Sequence, residues 1–288
     1  MPAVDPRPRS LARGKQRRTR RASFVALLAV PLVLVAACAP APIFNQGYEL
    51  AFQDEFDGPT LDPLWQQAPW SAGPPPGVAN GSMVLTSDSA GGGYAATTGP
   101  RRSQEPNFPG ARSWQYGYFE ARLRFTDNPW SWPVFWMFSM AKTEAWPQEI
   151  CPPSGELTSE WNIMEGGLNN RDGSFPASRS VHSVLHRNTR NGSAGPWCDI
   201  ADTTTSHHHV SSGVNLSGWH VWGGLWTEGE VCLYLDDEEI GCEPTYDTTH
   251  QPMHIILSIN DHGMCGNCPA KPAQLRMEVD WVRVWQKR

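Results

Sequence analysis

Two glutamates lie five positions apart in residues 155–166, a short segment with apolar residues at alternating positions. The residues between Glu160 and Glu165 are Trp161, Asn162, Ile163 and Met164. Paired carboxyl groups can perform a double displacement at the anomeric carbon of a sugar, in which one group attacks and the other transfers a proton. The segment therefore predicts a glycosidase that retains anomeric configuration.

The spacing requires a particular strand geometry. Side chains alternate between the two faces of a strand, so Glu160 and Asn162 point the same way. One extra residue among Ile163 and Met164, a β-bulge, brings Glu165 onto that face as well. The two Cα atoms are then roughly 13 Å apart, and inward-leaning side chains can bring the carboxyl groups to roughly 5 Å, the separation found in retaining enzymes.

The alternative interpretation of these acids is the polar face of a solvated strand, since such short patterns also arise by chance. The apolar residues that interleave with the acids favour a strand with one face in a core and its carboxylates on the other face. Glu156 is a rival nucleophile by proximity, and we assign it to a loop or a strand edge.

Further landmarks occur in a fixed order along the chain. Those before the acidic segment are residues 50–58 (LAFQDEFDG), 116–122 (YGYFEAR) and 132–137 (WPVFWM). Those after it are residues 183–186 (SVLH), 218–226, the hairpin 233–237 (LYLDD) and 277–285 (MEVDWVRVW). Together these landmarks span about residues 48–287 and resemble glycoside hydrolase family 16, the laminarinase-like enzymes.

The resemblance implies an all-β fold, a concanavalin-like β-jelly-roll sandwich of two antiparallel sheets with a concave substrate cleft. It also implies that Glu160 is the nucleophile and that Glu165 is the general acid, which later acts as a base towards water. Asn162 is the assisting residue. Like charges close together raise the pKa of one carboxyl group, which would keep Glu165 protonated while Glu160 is ionised.

Asn162 departs from the family, which usually has Asp in the pattern Glu-x-Asp-x-x-Glu. An amide can form hydrogen bonds and orient a neighbour, but it cannot ionise. We therefore expect an altered pH dependence and a lower rate.

Substrate-binding residues are also implied by the resemblance. Trp132, Trp136 and His186 match family residues that face the cleft, and apolar sugar faces lie flat on indole rings. Most of the other tryptophans are expected in the core, among them Trp161, Trp219, Trp222, Trp281 and Trp285. Three loop tryptophans stay undecided between core and cleft: Trp130, Trp146 and Trp197.

No cofactor is expected to be needed for catalysis, but many family members hold a structural calcium ion. The matching residues are Glu55, the carbonyl group of Gly81, and Asp280. Calcium requires six or more oxygen ligands. The run His207–His209 has no Cys or acidic partner at ligand spacing, so we favour a solvated loop over a metal site there.

Composition agrees with a single β-rich domain, since the 288 residues include 26 Gly and 26 Pro. Short alternating runs separated by turn-forming residues predict strands over 117–125, 221–226, 231–235 and 254–259. Residues 68–81 and 188–217 are expected to be loops at the rim of the cleft. Residues 101–113 and 141–154 are expected to wall it as well.

The first 38 residues predict an export signal, with eight basic residues before an apolar run at 24–37. The run is short for a membrane span. Residues 35–38 (VAAC) resemble a bacterial lipobox, which would place a lipid on Cys38, although ordinary signal cleavage also fits. A short linker, 39–47, then leads into the catalytic domain, 48–288, and we expect an extracellular or cell-surface protein.

Six cysteines remain beyond Cys38, which suits an exported protein with up to three disulfides. Cys232 and Cys242 lie symmetrically about a predicted hairpin turn and can bridge across it. A loop staple between Cys265 and Cys268 is favoured over a redox pair, which leaves Cys151 and Cys198 as the third pair. Fifteen pairings exist, and spacing does not choose among them.

Charge limits the substrate. Without residues 1–38, 15 basic residues face 28 acidic ones, a balance of −13, which repels polyanions such as nucleic acids and sulfated galactans. A basic patch at Arg101 and Arg102 would weaken this argument. We therefore expect endo cleavage of a neutral β-1,3 or β-1,3/1,4-glucan by a monomer. The alternatives are an agarose-like galactan hydrolase, a transglycosylase and a non-catalytic surface carbohydrate-binding protein.

Overall fold

The computed structural model describes residues 46–68, 71–97, 112–139, 158–167, 181–190, 200–210, 215–245, 250, 252–261 and 270–288. The chain divides into two units, 1–38 and 39–288, and all described residues lie in the second. None of the described segments is a helix long and apolar enough to span a membrane.

The described part of the chain forms two antiparallel sheets, which confirms the predicted fold class. The first sheet contains β1 (Tyr48–Asp54), β3 (Gly77–Ala79), β4 (Ser82–Ser87), β6 (Gly117–Phe125), β11 (His220–Trp226), β12 (Glu230–Leu235), β13 (Glu238–Pro244) and β15 (Leu275–Lys287). The second sheet contains β2 (Gln66–Gln67), β5 (Gly93–Ala96), β7 (Ser131–Ser139), β8 (Thr158–Gly166), β9 (Val181–Arg190), β10 (Ile200–Val210) and β14 (Met253–Asp261).

Strand order explains how distant sequence segments meet. The first sheet runs β13-β12-β11-β6-β15-β4-β3, and β1 also pairs with β15. The second sheet runs β10-β9-β8-β7-β14-β5-β2, so β8, which carries the paired glutamates, lies between β7 and β9 near the middle. Long connections that return to the opposite sheet are typical of jelly-roll sandwiches.

The core lies between the sheets and follows the two-residue period of the strands. In β6, for example, Phe119, Ala121 and Leu123 are fully buried and alternate with residues of the outer face. The largest fully buried side chains include three tryptophans, Trp161, Trp222 and Trp226.

The tryptophan expectations are correct in part. Trp161 and Trp222 are fully buried, as expected. Trp219, Trp281 and Trp285 are instead only partly buried. Arg122 lies over Trp219, Arg283 lies over Trp281, and Trp285 donates to Glu120. Trp130 is partly buried against the core. Trp146 and Trp197 lie outside the described residues.

The prediction of a loop over residues 188–217 is wrong in part, because it includes the end of β9 and the whole of β10. β10 pairs with β9 alone and forms the end of its sheet. Such an edge strand needs no continuous apolar pattern, which is why its polar, Thr-rich sequence resembles a loop. The run His207–His209 lies on this strand. The range 68–81 likewise contains the short strand β3.

The hairpin of β12 and β13 confirms one predicted disulfide. Cys232 and Cys242 are direct partners in the ladder, with Cα atoms 4.0 Å apart, and they form a disulfide bond. Asp236 and Asp237 both have positive φ angles, 50° and 69°, as a two-residue type I′ turn requires. The other predicted pairs lie outside the described residues, at Cys151, Cys198, Cys265 and Cys268.

Gly224 on β11 packs against core side chains of β8, the strand that carries the paired glutamates. A Cβ atom there would lie 2.5 Å from Cη2 of Trp161 and 3.0 Å from Cγ1 of Ile163. Only glycine leaves room for the indole ring between the sheets.

We expect Gly224→Ala to destabilise the fold by about 1–3 kcal/mol, because the overlap forces the Trp161 ring to move. Since Trp161 lies between Glu160 and Asn162, activity per folded molecule should also fall. Melting temperature and steady-state kinetics check this prediction. Gly229→Ala is the matched control, because a Cβ there meets nothing within 4 Å. Equal melting temperatures for the two variants would contradict this interpretation.

His254 on β14 is a fully buried ionisable side chain. Burial lowers its pKa from 6.5 to about 3, so the folded protein holds this ring neutral. The unfolded chain binds the proton more readily between these two pH values. His254 therefore destabilises the fold increasingly as the pH falls from 6.5 towards 3, by up to about 1.4 kcal/mol per pH unit.

We expect His254→Leu to flatten the dependence of the unfolding free energy on pH over this window. The variant should gain stability relative to the wild type at each step towards acid. Urea denaturation of both proteins at a series of pH values measures the difference. Parallel curves for the two proteins would show that the ring is not held neutral.

Candidate active site

Strand β8 carries the paired acids and contains the predicted bulge. Trp136 and Phe135 of β7 pair with Asn162 and Met164, so Ile163 is an extra residue in the ladder. The ladder with β9 is shifted at the same place, between Asn162 and Glu165. The bulge prediction is confirmed.

Burial shows how the bulge assigns side chains to faces. Trp161, Ile163 and Met164 are fully buried and belong to the core between the sheets. The alternating residues Glu160, Asn162 and Glu165 therefore share the opposite face, which we call the cleft face of the second sheet. Without the extra residue, Glu165 would point into the core.

On the cleft face, residues of the neighbouring strands lie directly opposite Glu160 and Asn162 in the ladders. Glu160 lies opposite Phe138 on one side and His186 on the other. Asn162 lies opposite Trp136.

Glu165 is buried and held by two donors. The indole Nε1 of Trp132 donates to Oε1 at 2.8 Å, and the amide Nδ2 of Asn162 donates to Oε2 at 2.7 Å. Burial raises the pKa of Glu165, the two hydrogen bonds and His186 oppose the rise, and the charge of Glu160 adds to it. The net direction is upward, which favours the protonated form that a general acid needs.

Glu160 lies in a more open environment than Glu165. Its side chain is 22% exposed, and its Oε1 lies 3.9 Å from Nε2 of His186. Glu165, by contrast, is only 4% exposed. Two carboxyl groups in different environments can hold different protonation states, which a double displacement requires.

Asn162 links the acid to the histidine. Its Nδ2 lies 3.1 Å from Nε2 of His186, in addition to its bond to Glu165. An amide nitrogen only donates, so the tautomer of His186 decides whether this contact is a hydrogen bond. The amide orients Glu165 without carrying charge.

The two predicted platform tryptophans lie on β7, beside the acids. Trp132 contacts Glu165 directly, as described above. Trp136 donates from Nε1 to Oγ of Ser258 at 3.2 Å and packs edge-on against Phe138. Both are partly buried, so each retains some exposed ring surface for a ligand.

Sequence reasoning did not include several residues on the same face. His182 lies opposite Glu165 and is 5% exposed. Ser258 and Tyr94 are ladder partners on β14 and β5, and Asn260 donates to the hydroxyl oxygen of Tyr94 at 2.9 Å. The even spacing of His182 from His186, and of Ser258 from Asn260, was the signal that could have identified them.

Comparison with known proteins gives one consistent resemblance. No family model matches the chain. The endo-1,3-1,4-beta-glycanase EglC of Rhizobium meliloti (strain 1021) is 26% identical over 254 residues, which cover 84% of this chain and 45% of that protein. A beta-1,3-glucan-binding protein of Penaeus monodon is 28% identical over 128 residues, covering 43% of this chain and 30% of that protein. The chain thus spans less than half the length of these curated relatives.

Solved structures show the same fold. SCLam, a non-specific endo-beta-1,3(4)-glucanase from family GH16, matches with a TM-score of 0.60 and 20% identity over 84% of this chain and 92% of that one. The kappa-carrageenase of Pseudoalteromonas carrageenovora matches with a TM-score of 0.61 and 20% identity, covering 86% of this chain and 99% of that one.

The resemblance to glycoside hydrolase family 16 is confirmed. At these identities, the solved structures establish the jelly-roll fold.

The family 16 resemblance makes Asn162 the most informative departure in the site. We expect Asn162→Asp to move the alkaline limb of the pH profile of kcat/KM to higher pH by about one unit. The change replaces a donor to Glu165 with a negative charge, and both effects raise the pKa of Glu165, so the acid stays protonated to higher pH. A pH series of kcat/KM for both proteins measures the shift.

Asn80→Asp provides the control, because Asn80 lies in the turn between β3 and β4 of the other sheet. It should leave the alkaline limb in place. A downward shift or no shift in Asn162→Asp would show that Glu165 does not set this limb.

The residues matched to the family's calcium site fit an ion poorly. Glu55 accepts hydrogen bonds from Arg283 at 2.9 and 3.1 Å, and Asp280 pairs with Arg122 at 2.6 Å. A calcium ion at Glu55, Gly81 and Asp280 would compete with both arginines for these two carboxylates. Within the described part of the chain, the one cluster of potential metal ligands is Glu230 with Cys232 and Cys242, and these cysteines form the disulfide. The calcium site stays a prediction.

Proposed function

We propose that this chain is an endo-acting glycoside hydrolase that cleaves internal β-linkages of a neutral β-1,3 or β-1,3/1,4-glucan with retention of configuration. The observation that carries the proposal is the shared cleft face of Glu160 and Glu165 across the bulge, with Glu165 buried and held by Trp132 and Asn162. This arrangement supplies one partly exposed carboxyl group, Glu160, and one buried carboxyl group, Glu165, that favours protonation.

In the first step, a carboxylate oxygen of Glu160 attacks the anomeric carbon and the bond to the leaving oxygen breaks. Glu165 gives its proton to that oxygen, so the departing sugar leaves as a neutral alcohol. In the second step, Glu165 takes a proton from water, the resulting hydroxide attacks the anomeric carbon, and Glu160 leaves as a carboxylate. Two inversions at one carbon restore the original configuration.

Asn162 would contribute to substrate binding as well as to positioning. Its Oδ1 is buried and has no hydrogen-bond partner in the part of the chain that the structure describes. An unpaired buried acceptor costs about 1–3 kcal/mol. A sugar hydroxyl over β8 would satisfy this oxygen once the Asn162 side chain moves to expose it, because the oxygen has almost no accessible surface in this structure.

The substrate class rests on charge and on aromatic side chains. The balance of −13 beyond residue 38 disfavours sulfated polymers, while Trp132 and Trp136 offer ring faces to neutral sugars. EglC is described as an endo-1,3-1,4-beta-glycanase, which agrees with a glucan. The fold alone does not decide, since the kappa-carrageenase shares it.

The test is the release of reducing ends from laminarin, mixed-linkage β-glucan, agarose and κ-carrageenan by residues 39–288. We expect cleavage of one or both glucans into oligosaccharides of several lengths, as endo action requires. Cleavage of agarose alone would replace the glucan with a neutral galactan. Cleavage of κ-carrageenan would overturn the charge argument.

A second candidate is a protein that binds β-glucan without cleaving it. The relative from Penaeus monodon is described as a beta-1,3-glucan-binding protein. This chain also has Asn162 at the position where the family usually has Asp. Binding of laminarin in pull-down or calorimetry experiments, with no reducing ends released, would favour this candidate.

We further propose that the protein acts outside the cell as a monomer, anchored by a lipid on Cys38. The basic and apolar segments of residues 1–38 support export. The disulfide between Cys232 and Cys242 also suits an oxidising compartment.

A further inference from the structure

One buried hydroxyl group lies directly opposite the bulge in β8. The ladder with β9 pairs Asn162 with Val184 and Glu165 with His182. Ile163 and Met164 therefore face a single residue of β9, which is Ser183. This serine is 5% exposed, on the core side of the sheet, where a polar side chain needs hydrogen-bond partners.

The Ser183 hydroxyl group forms two hydrogen bonds, one as a donor and one as an acceptor. Its Oγ donates to the backbone carbonyl of Asn162 at 3.1 Å and accepts from the indole Nε1 of Trp161 at 3.2 Å. An indole N–H can only donate, so the single hydroxyl proton is directed to the carbonyl group. The indole donor and the carbonyl acceptor together fix the orientation of the hydroxyl group.

The bonded carbonyl group belongs to the residue where the ladder is interrupted. A bulge locally disrupts the regular pairing of a strand, and a buried carbonyl group without a partner is costly. The Ser183 hydroxyl supplies a donor at Asn162, the last regularly paired residue before the bulge. The side chain of the same residue donates to Glu165 at 2.7 Å.

Trp161 connects this hydrogen bond to the other sheet. Its ring is fully buried against Gly224 of β11, which has no side chain to displace it. The ring position therefore fixes the direction of its Nε1 towards Ser183. The chain of contacts runs from Gly224 through Trp161 and Ser183 to the backbone of Asn162.

We propose that Ser183 is a positioning residue for the general acid, because it anchors the backbone of Asn162 at the bulge and so holds the Asn162 amide against Glu165. This inference rests on the proposed function for its catalytic consequence. The competing explanation is that Ser183 is a buried hydrogen-bonding residue that contributes only to stability.

The test compares Ser183→Ala with Ser183→Thr, which keeps the hydroxyl group. Ser183→Ala removes the hydroxyl group that donates to the Asn162 carbonyl and accepts from the Trp161 indole, so we expect the Asn162 amide to shift relative to Glu165. We expect kcat to fall between about tenfold and a hundredfold, with KM within about a factor of two. Ser183→Thr should restore most of the rate.

A pH profile separates positioning from stability. Loss of the Asn162 donor raises the pKa of Glu165, so the alkaline limb should move to higher pH in Ser183→Ala. Ser87→Ala is the control for loss of a buried serine hydroxyl elsewhere, because Ser87 is also buried but lies on β4 of the other sheet. It should leave kcat and the alkaline limb unchanged. A lower melting temperature for Ser183→Ala, with kcat and the alkaline limb unchanged, would overturn the inference.

A second measurement does not depend on turnover. Carbon-13 NMR of glutamate-labelled protein, with the Glu165 signal assigned by its loss in Glu165→Gln, gives the titration of this carboxyl group directly. We expect a higher pKa in Ser183→Ala than in the wild type, and the same pKa would contradict the inference. A wild type that cleaves no glycan would count against the proposed function alone.

Discussion

Replacing Glu160 with glutamine should lower kcat on β-glucan by at least about a thousandfold. The amide has almost the same shape and can still form hydrogen bonds, but it cannot attack the anomeric carbon as a carboxylate does. Because the ring faces of Trp132 and Trp136 are unchanged, laminarin should still bind. Reducing-end assays and calorimetry measure the two effects separately.

Chemical rescue assigns the role of Glu160. In Glu160→Ala, azide can enter the vacated space and attack an aryl β-glucoside oligomer from the face that the nucleophile used. The product should be the α-glycosyl azide, since only one inversion occurs. Glu238→Gln, an exposed acid on β13, is the control and should behave as the wild type. Wild-type turnover by Glu160→Gln would exclude this residue as the nucleophile.

Removing Glu165 should have a different signature, which depends on the leaving group. On the polysaccharide, Glu165→Ala should lose about 10² to 10⁴-fold in rate, because the departing sugar oxygen needs a proton. An aryl glycoside with an acidic phenol needs little protonation, so its first step should stay fast and the intermediate should accumulate. Burst kinetics on such a substrate measure this directly.

Azide and pH give independent checks on Glu165. Azide needs no general base, so it should release the intermediate of Glu165→Ala as the β-glycosyl azide, after two inversions. The alkaline limb of kcat/KM should disappear in this variant, since burial raises the pKa of Glu165 in the wild type. An α-glycosyl azide would show that the roles of the two glutamates are reversed. An unchanged alkaline limb would show that Glu165 is not the general acid.

Much of this fold follows from local patterns. The alternating apolar residues of β6, β11, β12 and β14 predict strands close to those in the structure. The bulge was also predictable, because Glu160 and Glu165 can share a face only if one residue is added to the two-residue period. By contrast, β10 has no apolar alternation, since a strand at the edge of a sheet is stabilised mainly by its backbone pairing.

The site was predictable where residues act within one strand, and less so where strands meet. Glu160, Asn162 and Glu165 lie on one strand, β8, so the sequence of that strand alone determines which face they share. The role inferred for Ser183 depends on the register between β8 and β9, which no single segment encodes. The arginines that pair with Glu55 and Asp280 are likewise brought there by strand pairing, and they weaken the expectation of a calcium site.

The central claim is a double displacement by Glu160 and Glu165, and the configuration of the first product tests it most directly. Proton NMR of laminarin hydrolysis by the wild type, recorded before mutarotation, distinguishes the two anomers. We predict that the β-anomer appears first and that the α-anomer follows only by mutarotation. An α-anomer formed first would contradict the account, because it requires a single displacement by water.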